Sequence, residues 1–430
     1  MIRCNSPEEA LKAIRSNSRV YIQAAAATPS ILIKALTDRV TDLRNVEICH
    51  LHTEGSAPYA NPALSYAFHV NSFFIGKNVR HTLAAGNGSY TPVFLSELPN
   101  LFRKGVIPLD AALIHVSPPD AHGYCSLGVS VEATLAAIQN AKIVIAQVNP
   151  KMPRTFGDGI IHINQIDYVV EVDVPIFGHD TEAISEAENK IGQYIASLID
   201  DKSTLQMGIG SIPNAALANL SGHKDLGLHT EMFSDGVIDL IESGVINCKY
   251  KGIHKGRALA TFLIGSQRLY DFVDDNPFIE MRESSYVNDT AVIRKNPKMV
   301  AINSAIEVDL TGQVCADSIG ARMYSGVGGQ MDFIRGAALS DGGKAIIALP
   351  SVTKDGESRI VPFLKQGAGV VTTRSHTQYI ITEYGIADLY GKTLKQRAKA
   401  LLNIAHPKHQ EAIERNYYEM LSGTKIHAFA

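Results

Sequence analysis

Short apolar runs rich in Val, Ile and Ala alternate along this chain with stretches whose apolar residues recur every three to four positions. Residues 19–27, "RVYIQAAAA", read as a buried strand, and 29–43, "PSILIKALTDRVTDL", as the helix after it. The same alternation continues through "VEICHL" (46–51), the apolar run "HTLAAG" (81–86) and the helical pattern "TPVFLSELPNLFRKG" (91–105). "DAALIHV" (110–116), "VSVEATLAAIQNA" (129–141) and "KIVIAQVN" (142–149) repeat it once more. Strands that are apolar throughout and separated by helices imply a parallel sheet covered on both faces.

The pattern then restarts. "DYVVEVDVPIFGHD" (167–180) reads as a strand and an exit, and "SEAENKIGQYIASLI" (185–199) as an amphipathic helix capped by its serine. Further apolar strands follow at 204–210, 226–232, 258–265, 299–310 and 345–352. Residues 393–421 read as two helices separated by Pro407. The fold class is therefore α/β, with two doubly wound domains, residues 1–180 and 181–430, and a cleft between them as the place for a ligand.

Composition narrows the function classes. The 430 residues are 45% hydrophobic and 19% charged, with a mean hydropathy of +0.01, as in a soluble globular protein. A net charge of −3 with both signs interspersed implies neither a nucleic-acid groove nor a basic membrane patch. No signal-peptide core and no spanning segment is visible, so no membrane association is expected. Five scattered cysteines without a C-x-x-C spacing argue against a metal site and a disulfide framework, and fit a cytoplasmic location.

Three stretches carry candidate chemistry. "QMGIGSIPNA" (206–215) is a strand, a Gly-x-Gly turn and a helix start, suited to anions. Pro213 stands where a dinucleotide fingerprint needs its third glycine, which argues against a nicotinamide site. A tight turn with no ligand is the plain alternative. "YSGVGGQMDFIRGA" (324–337) places Gly326, Gly328 and Gly329 close together, at a cost of about 1 kcal/mol each in a regular element. Backbone N–H groups facing a ligand or an oxyanion would explain them; a plain loop is the alternative. "AAGNGSYTP" (84–92) and "SPPDAHGYCSLG" (117–128) are further irregular loops. In "GLHTEMFSDG" (227–236), Glu231 stands where an apolar strand opens, with His229 two residues before it. A histidine there would orient the carboxylate or simply line the site.

Five ordered motifs together resemble the acetyl-CoA hydrolase/transferase family, and within it the 4-hydroxybutyrate, butyrate and acetate CoA-transferases: "GLHTEMFSDG", "GIGSIPNA", "SGVGGQMDF", "INSAIEVDLTGQV" and "ITEYGIADL". The resemblance runs from "AAAATPS" to the C-terminal helices. It implies two α/β domains, a homodimer and a covalent mechanism. Glu231 would be the catalytic carboxylate, forming a glutamyl-CoA thioester, and Asn303 the side-chain oxyanion donor. Gly208, Ile209, Gly210, Ser211, Ile212, Gly328, Gly329 and Lys354 would contact coenzyme A. Acyl-CoA and short-chain carboxylates are the implied partners, and no cofactor is implied beyond coenzyme A as a substrate. An acyl-CoA hydrolase using the same residues is the alternative enzyme, and a CoA-binding module the alternative without catalysis.

Overall fold

The computed structural model describes residues 1–179, 183–208 and 210–421. An eight-stranded sheet lies in the N-terminal part. Its spatial order is Ile2–Arg3, Tyr168–Glu171, Ala141–Val148, Leu109–Val116, Arg19–Ile22, Val46–His50, Phe68–Ser72 and Gly88–Tyr90. Every neighbouring pair is parallel. This suits the apolar runs, because a parallel sheet is covered on both faces.

A six-stranded sheet follows, ordered Gly227–Leu228, Thr204–Met207, Met299–Ser304, Lys344–Ala348, Tyr379–Thr382 and Gly385–Asp388. Only its last pair is antiparallel. The chain leaves Thr204–Met207 for Gly227–Leu228 on one side and returns to Met299–Ser304 on the other. The carboxyl end of Thr204–Met207 is thus a switch point, where open α/β sheets place their ligands.

The two sheets share one hydrophobic core. Tyr21, Ala112 and Val131 from the first part belong to the same buried cluster as Met207, Phe233, Ile302 and Ile381 from the second. A small sheet also crosses between them, where Phe156–Gly157 runs parallel to Ile279–Met281. The expected division between residues 180 and 181 falls outside the described residues.

Several local expectations are met for clear reasons. The helix Glu186–Leu198 carries a full capping box, with Ser185 and Glu188 satisfying each other's backbone N–H. Residues 81–86 are a correction: they form the helix His81–Ala85, not a strand, ended by Gly86 at φ 79°. Leu and Ala favour that helix, and glycine supplies the left-handed end. The helix expected over 91–105 is only Leu98–Arg103, which begins at Pro99's turn and leaves 91–97 as a loop. Pro407 does not merely separate the last two helices but opens Pro407–Leu421 as its first residue.

Candidate active site

Glu231 lies between the short strands Gly227–Leu228 and Met232–Phe233. Its backbone carbonyl accepts from the Thr261 and Phe262 N–H groups at 2.9 and 3.2 Å, so the segment is pinned. Both residues before it are buried and used. Thr230 Oγ1 donates toward Met207 O and Met232 O, and accepts from Met207 N at 3.2 Å. One hydroxyl therefore joins the glutamate segment to the strand that ends in the Gly-x-Gly turn. His229 does not touch the carboxylate. Its Nε2 donates to Val287 O at 2.8 Å and its Nδ1 accepts from the Asn296 amide at 3.1 Å. Burial pushes that imidazole down to about 3, so it stays neutral. What His229 fixes is the backbone next to Asn288.

Asn288 is the amide that reaches the glutamate. Its Nδ2 lies 2.8 Å from Glu231 Oε2 and 3.5 Å from Asp332 Oδ2. Its Oδ1 is buried without a hydrogen-bond partner among the described residues. A buried polar atom left so costs about 1–3 kcal/mol, so the amide is held by what its nitrogen gains. The Gly329 backbone N–H also faces the Glu231 carboxyl. Burial pushes this carboxyl up to about 7, against the lowering effect of these two donors. Glu231 nonetheless keeps some solvent access.

The glycine loop closes over the carboxyl. A Cβ on Gly329 would stand 1.9 Å from Glu231 Oε2 and 2.2 Å from Asn288 Nδ2, so only glycine fits. Gly328 takes φ +56°, and a Cβ there would lie 3.8 Å from Glu231 Oε1. The N-terminal part holds this loop in place. Leu95 N donates to Gly328 O at 3.0 Å, Ile75 N to Ser325 O at 3.2 Å, and Val327 N to Tyr90 Oη at 3.3 Å. Arg80 donates to Tyr324 O at 2.8 Å and stacks over its ring. The Phe74 ring packs beside Gly326 and Gly328.

The other sequence candidates sit around this centre at different ranges. Gly208 and Gly210 border open space, since a Cβ on either meets nothing within 4 Å, and Gly210 at φ +113° caps the helix Ser211–Ala218. Ile209 lies outside the described residues. Ile212 is buried in that helix, and Ser211 donates to Glu188. Burial alone would raise the Glu188 carboxyl; hydrogen bonds from Ser185 and Ser211 and the charge of exposed Lys354 hold it low. Lys354 is thereby placed near the Gly-x-Gly turn. Asn303 donates its amide to Gln206 Oε1 at 3.0 Å, beside the same turn, and makes no hydrogen bond to Glu231.

Asn288, Asp332, Ser96 and Phe74 were not singled out from the sequence. Asp332 lies inside "SGVGGQMDF", three residues past Gly329, so that motif pointed to it; nothing in "YVNDT" separates Asn288 from any other loop asparagine. Among the described residues no cluster of His, Cys, Asp and Glu could hold a metal ion. No described helix is long and apolar enough to cross a membrane.

A buried carboxyl facing backbone and amide donors, with an open Gly-x-Gly turn nearby, suits covalent acyl chemistry on a large anionic substrate. Comparison with known proteins points to coenzyme A as that substrate class. Residues 2–177 match the acetyl-CoA hydrolase/transferase N-terminal domain, and residues 265–417 the C-terminal domain. Glu231 lies between these two matches, but the full-length relatives span it. A succinyl-CoA:acetate/propanoyl-CoA:succinate CoA transferase of Fasciola hepatica is 50% identical over 96% of this chain and 87% of its own. A 4-hydroxybutyrate coenzyme A transferase of Clostridium kluyveri is 48% identical over 94% and 95%. The crystal structure of a 4-hydroxybutyrate CoA-transferase from Porphyromonas gingivalis superposes with a TM-score of 0.84 at 41% identity, over 97% of both chains. With two domain models and full-length relatives in agreement, the chain belongs to the acetyl-CoA hydrolase/transferase family.

Proposed function

We propose that this protein transfers coenzyme A from a short-chain acyl-CoA to a carboxylate acceptor, through a glutamyl-CoA thioester on Glu231. The relatives' transfer reactions, among succinyl, propanoyl, acetate and 4-hydroxybutyrate groups, set the substrate class. The observation that carries the reading is the Glu231 carboxyl itself: largely buried, raised to about 7, hydrogen-bonded by Asn288 Nδ2 and faced by the Gly329 N–H.

Asn288 holds Oε2, which leaves Oε1 to attack the acyl-CoA carbonyl. That step gives a mixed anhydride and CoA thiolate. The thiolate then attacks the Glu231 carbonyl and expels the first acid. During this second addition, negative charge builds on the Glu231 oxygen that Asn288 and Gly329 already face. A donor so placed contributes on the order of 3 kcal/mol to the transition state. The acceptor acid repeats the two steps in reverse. Gly208, Gly210 and Ser211, with Lys354 nearby, would line the path of the coenzyme, and Asn303 would steady the Gly-x-Gly turn through Gln206.

Acyl-CoA supplied without acceptor should leave a CoA-sized adduct on the intact protein, mapped by borohydride reduction to the peptide containing Glu231. Freshly prepared Glu231→Gln should bind CoA, show no adduct and transfer nothing. An adduct on another residue, or normal transfer by that variant, rejects the reading. Acyl-CoA loss that needs no acceptor would instead make the protein a hydrolase.

A further inference from the structure

Glu231 has a second carboxyl beside it that the transfer chemistry does not use. Asp332 sits in the first turn of the helix Gln330–Leu339. Ser96 donates to it twice, from its backbone N–H at 3.2 Å and from Oγ at 2.8 Å. The Asn288 amide lies between the two carboxyls. On its other side Asp332 borders a pocket of about 380 Å³, lined also by Ser96, Glu97, Asp289 and Arg335. Glu231 does not line that pocket. Asp332 therefore separates the buried glutamate from a solvent-open space.

We propose that Asp332 is a positioning residue for Glu231: the two carboxyls hold one proton between them, and Asp332 releases it to the pocket when Glu231 becomes a thioester. The inference rests on the CoA-transfer reading above. Two carboxylates bridged by one amide repel each other, so one proton on the pair is the favoured state near neutrality. Burial first, and then the charge of Glu231, push Asp332 up to about 7, against the hydrogen bonds from Ser96 and Asn288. Other charges facing Asp332 are mixed. Glu97 and Asp289 line the pocket with it, and so does Arg335, one turn on. The strands beneath the helix, Met299–Ser304 and Lys344–Ala348, bring one ionisable side chain, Lys344, already paired with Asp200.

The chemistry balances. With the proton on Asp332, Glu231 is a carboxylate and can attack. Loading breaks the acyl C–S bond, forms a C–S bond at Glu231 and releases the first acid as its anion. The negative charge has then left the pair. Asp332 no longer faces an anion, and its O–H dissociates to pocket water, leaving the Asp332 carboxylate and one solvated proton. Discharge runs this backward: an anionic acceptor can enter freely only when Asp332 has taken the proton up again. Loading should therefore gain with rising pH, and discharge by a carboxylate should lose.

Rapid-quench discharge of preformed thioester, between about pH 6 and about pH 9, tests this with two acceptors. Acetate is an anion throughout, whereas hydroxylamine is uncharged over most of that range. Wild-type discharge by acetate should fall at least ~10-fold from pH 7 to pH 9, while discharge by hydroxylamine does not fall. Asp332→Asn should load at Glu231 and show an acetate profile flat within ~2-fold. Ser96→Ala, which takes one donor from the ionised Asp332, should move the wild-type fall to higher pH, and it serves if Asp332→Asn fails to fold. An unchanged acetate profile in these variants, or an equal alkaline fall with hydroxylamine, overturns the inference while leaving covalent transfer intact. Absence of any thioester at Glu231 in the wild type would instead sink the transfer reading, and this inference with it.

Discussion

At the scale of single residues, the two adjacent glycines over Glu231 do different work. Gly329 is defined by space, since a methyl group there would overlap Glu231 Oε2 and Asn288 Nδ2. Gly328 is defined by its backbone, at φ +56°, with its nearest side-chain neighbour, Phe74, at an ordinary 3.5 Å. Gly329→Ala should lower kcat/KM by ~100-fold or more, because the donors and the nucleophile can no longer keep their positions. Gly328→Ala should cost about 1 kcal/mol of stability, visible in urea denaturation, with a much smaller loss of kcat/KM. Equal kinetic losses in the two variants would mean that the loop acts as a flexible unit and not through the contact at Gly329. Neither distinction can be read from the string "VGG", which shows only that the loop is unusual.

Elements are where the sequence was most informative and also where it misled. Continuous apolar runs revealed the parallel strands of both sheets, because burial on two faces leaves a strong composition signal. The serine-capped helix at Ser185 was legible for the same kind of reason, a local rule with local partners. Residues 81–86 were not, since a short run of Thr, Leu and Ala suits helix or strand, and the neighbours decide. The site followed the same division. Glu231, Gly328 and Gly329 sit in recognisable motifs. Asn288 and Ser96 come from ordinary loops that tertiary structure alone brings to the carboxyls. Thr230 shows how one element reports to another, because its hydroxyl ties Met207, at the start of the Gly-x-Gly turn, to the glutamate segment. Thr230→Val keeps the shape but strands the Met207 N–H and carbonyl. It should destabilise the fold by about 1–3 kcal/mol and raise KM for acyl-CoA more than it lowers kcat. A drop in kcat alone would show that the hydroxyl serves Glu231 and not the turn.

For the whole molecule, the site exists only because the two sheets meet. The C-terminal part brings the nucleophile and its amide, and the N-terminal part holds the loop above them through Ile75, Arg80, Tyr90 and Leu95. Holding Glu231 in this junction, largely out of water, has a cost that pH reveals. A free glutamate titrates near 4.3, and the folded Glu231 near 7. Between those values the folded state binds more protons than the unfolded chain, so this residue's contribution to stability is lost as pH rises and stays lost above about 7. Glu231→Gln should thus stabilise the fold by on the order of 2 kcal/mol at pH 8 and add little at pH 4, measured by urea unfolding. Equal stability of the two proteins at pH 8 would mean that the carboxylate is better solvated than its surroundings imply. The same burial bears on how long the protein lasts. Thioester formation moves the charge from Glu231 to Asp332, where Ser96 donates twice and the pocket brings water close, so the loaded protein should resist heat longer than the resting one, even where free CoA gives equal occupancy of the cleft. Idle molecules, starved of acyl donor, would be the first to be lost.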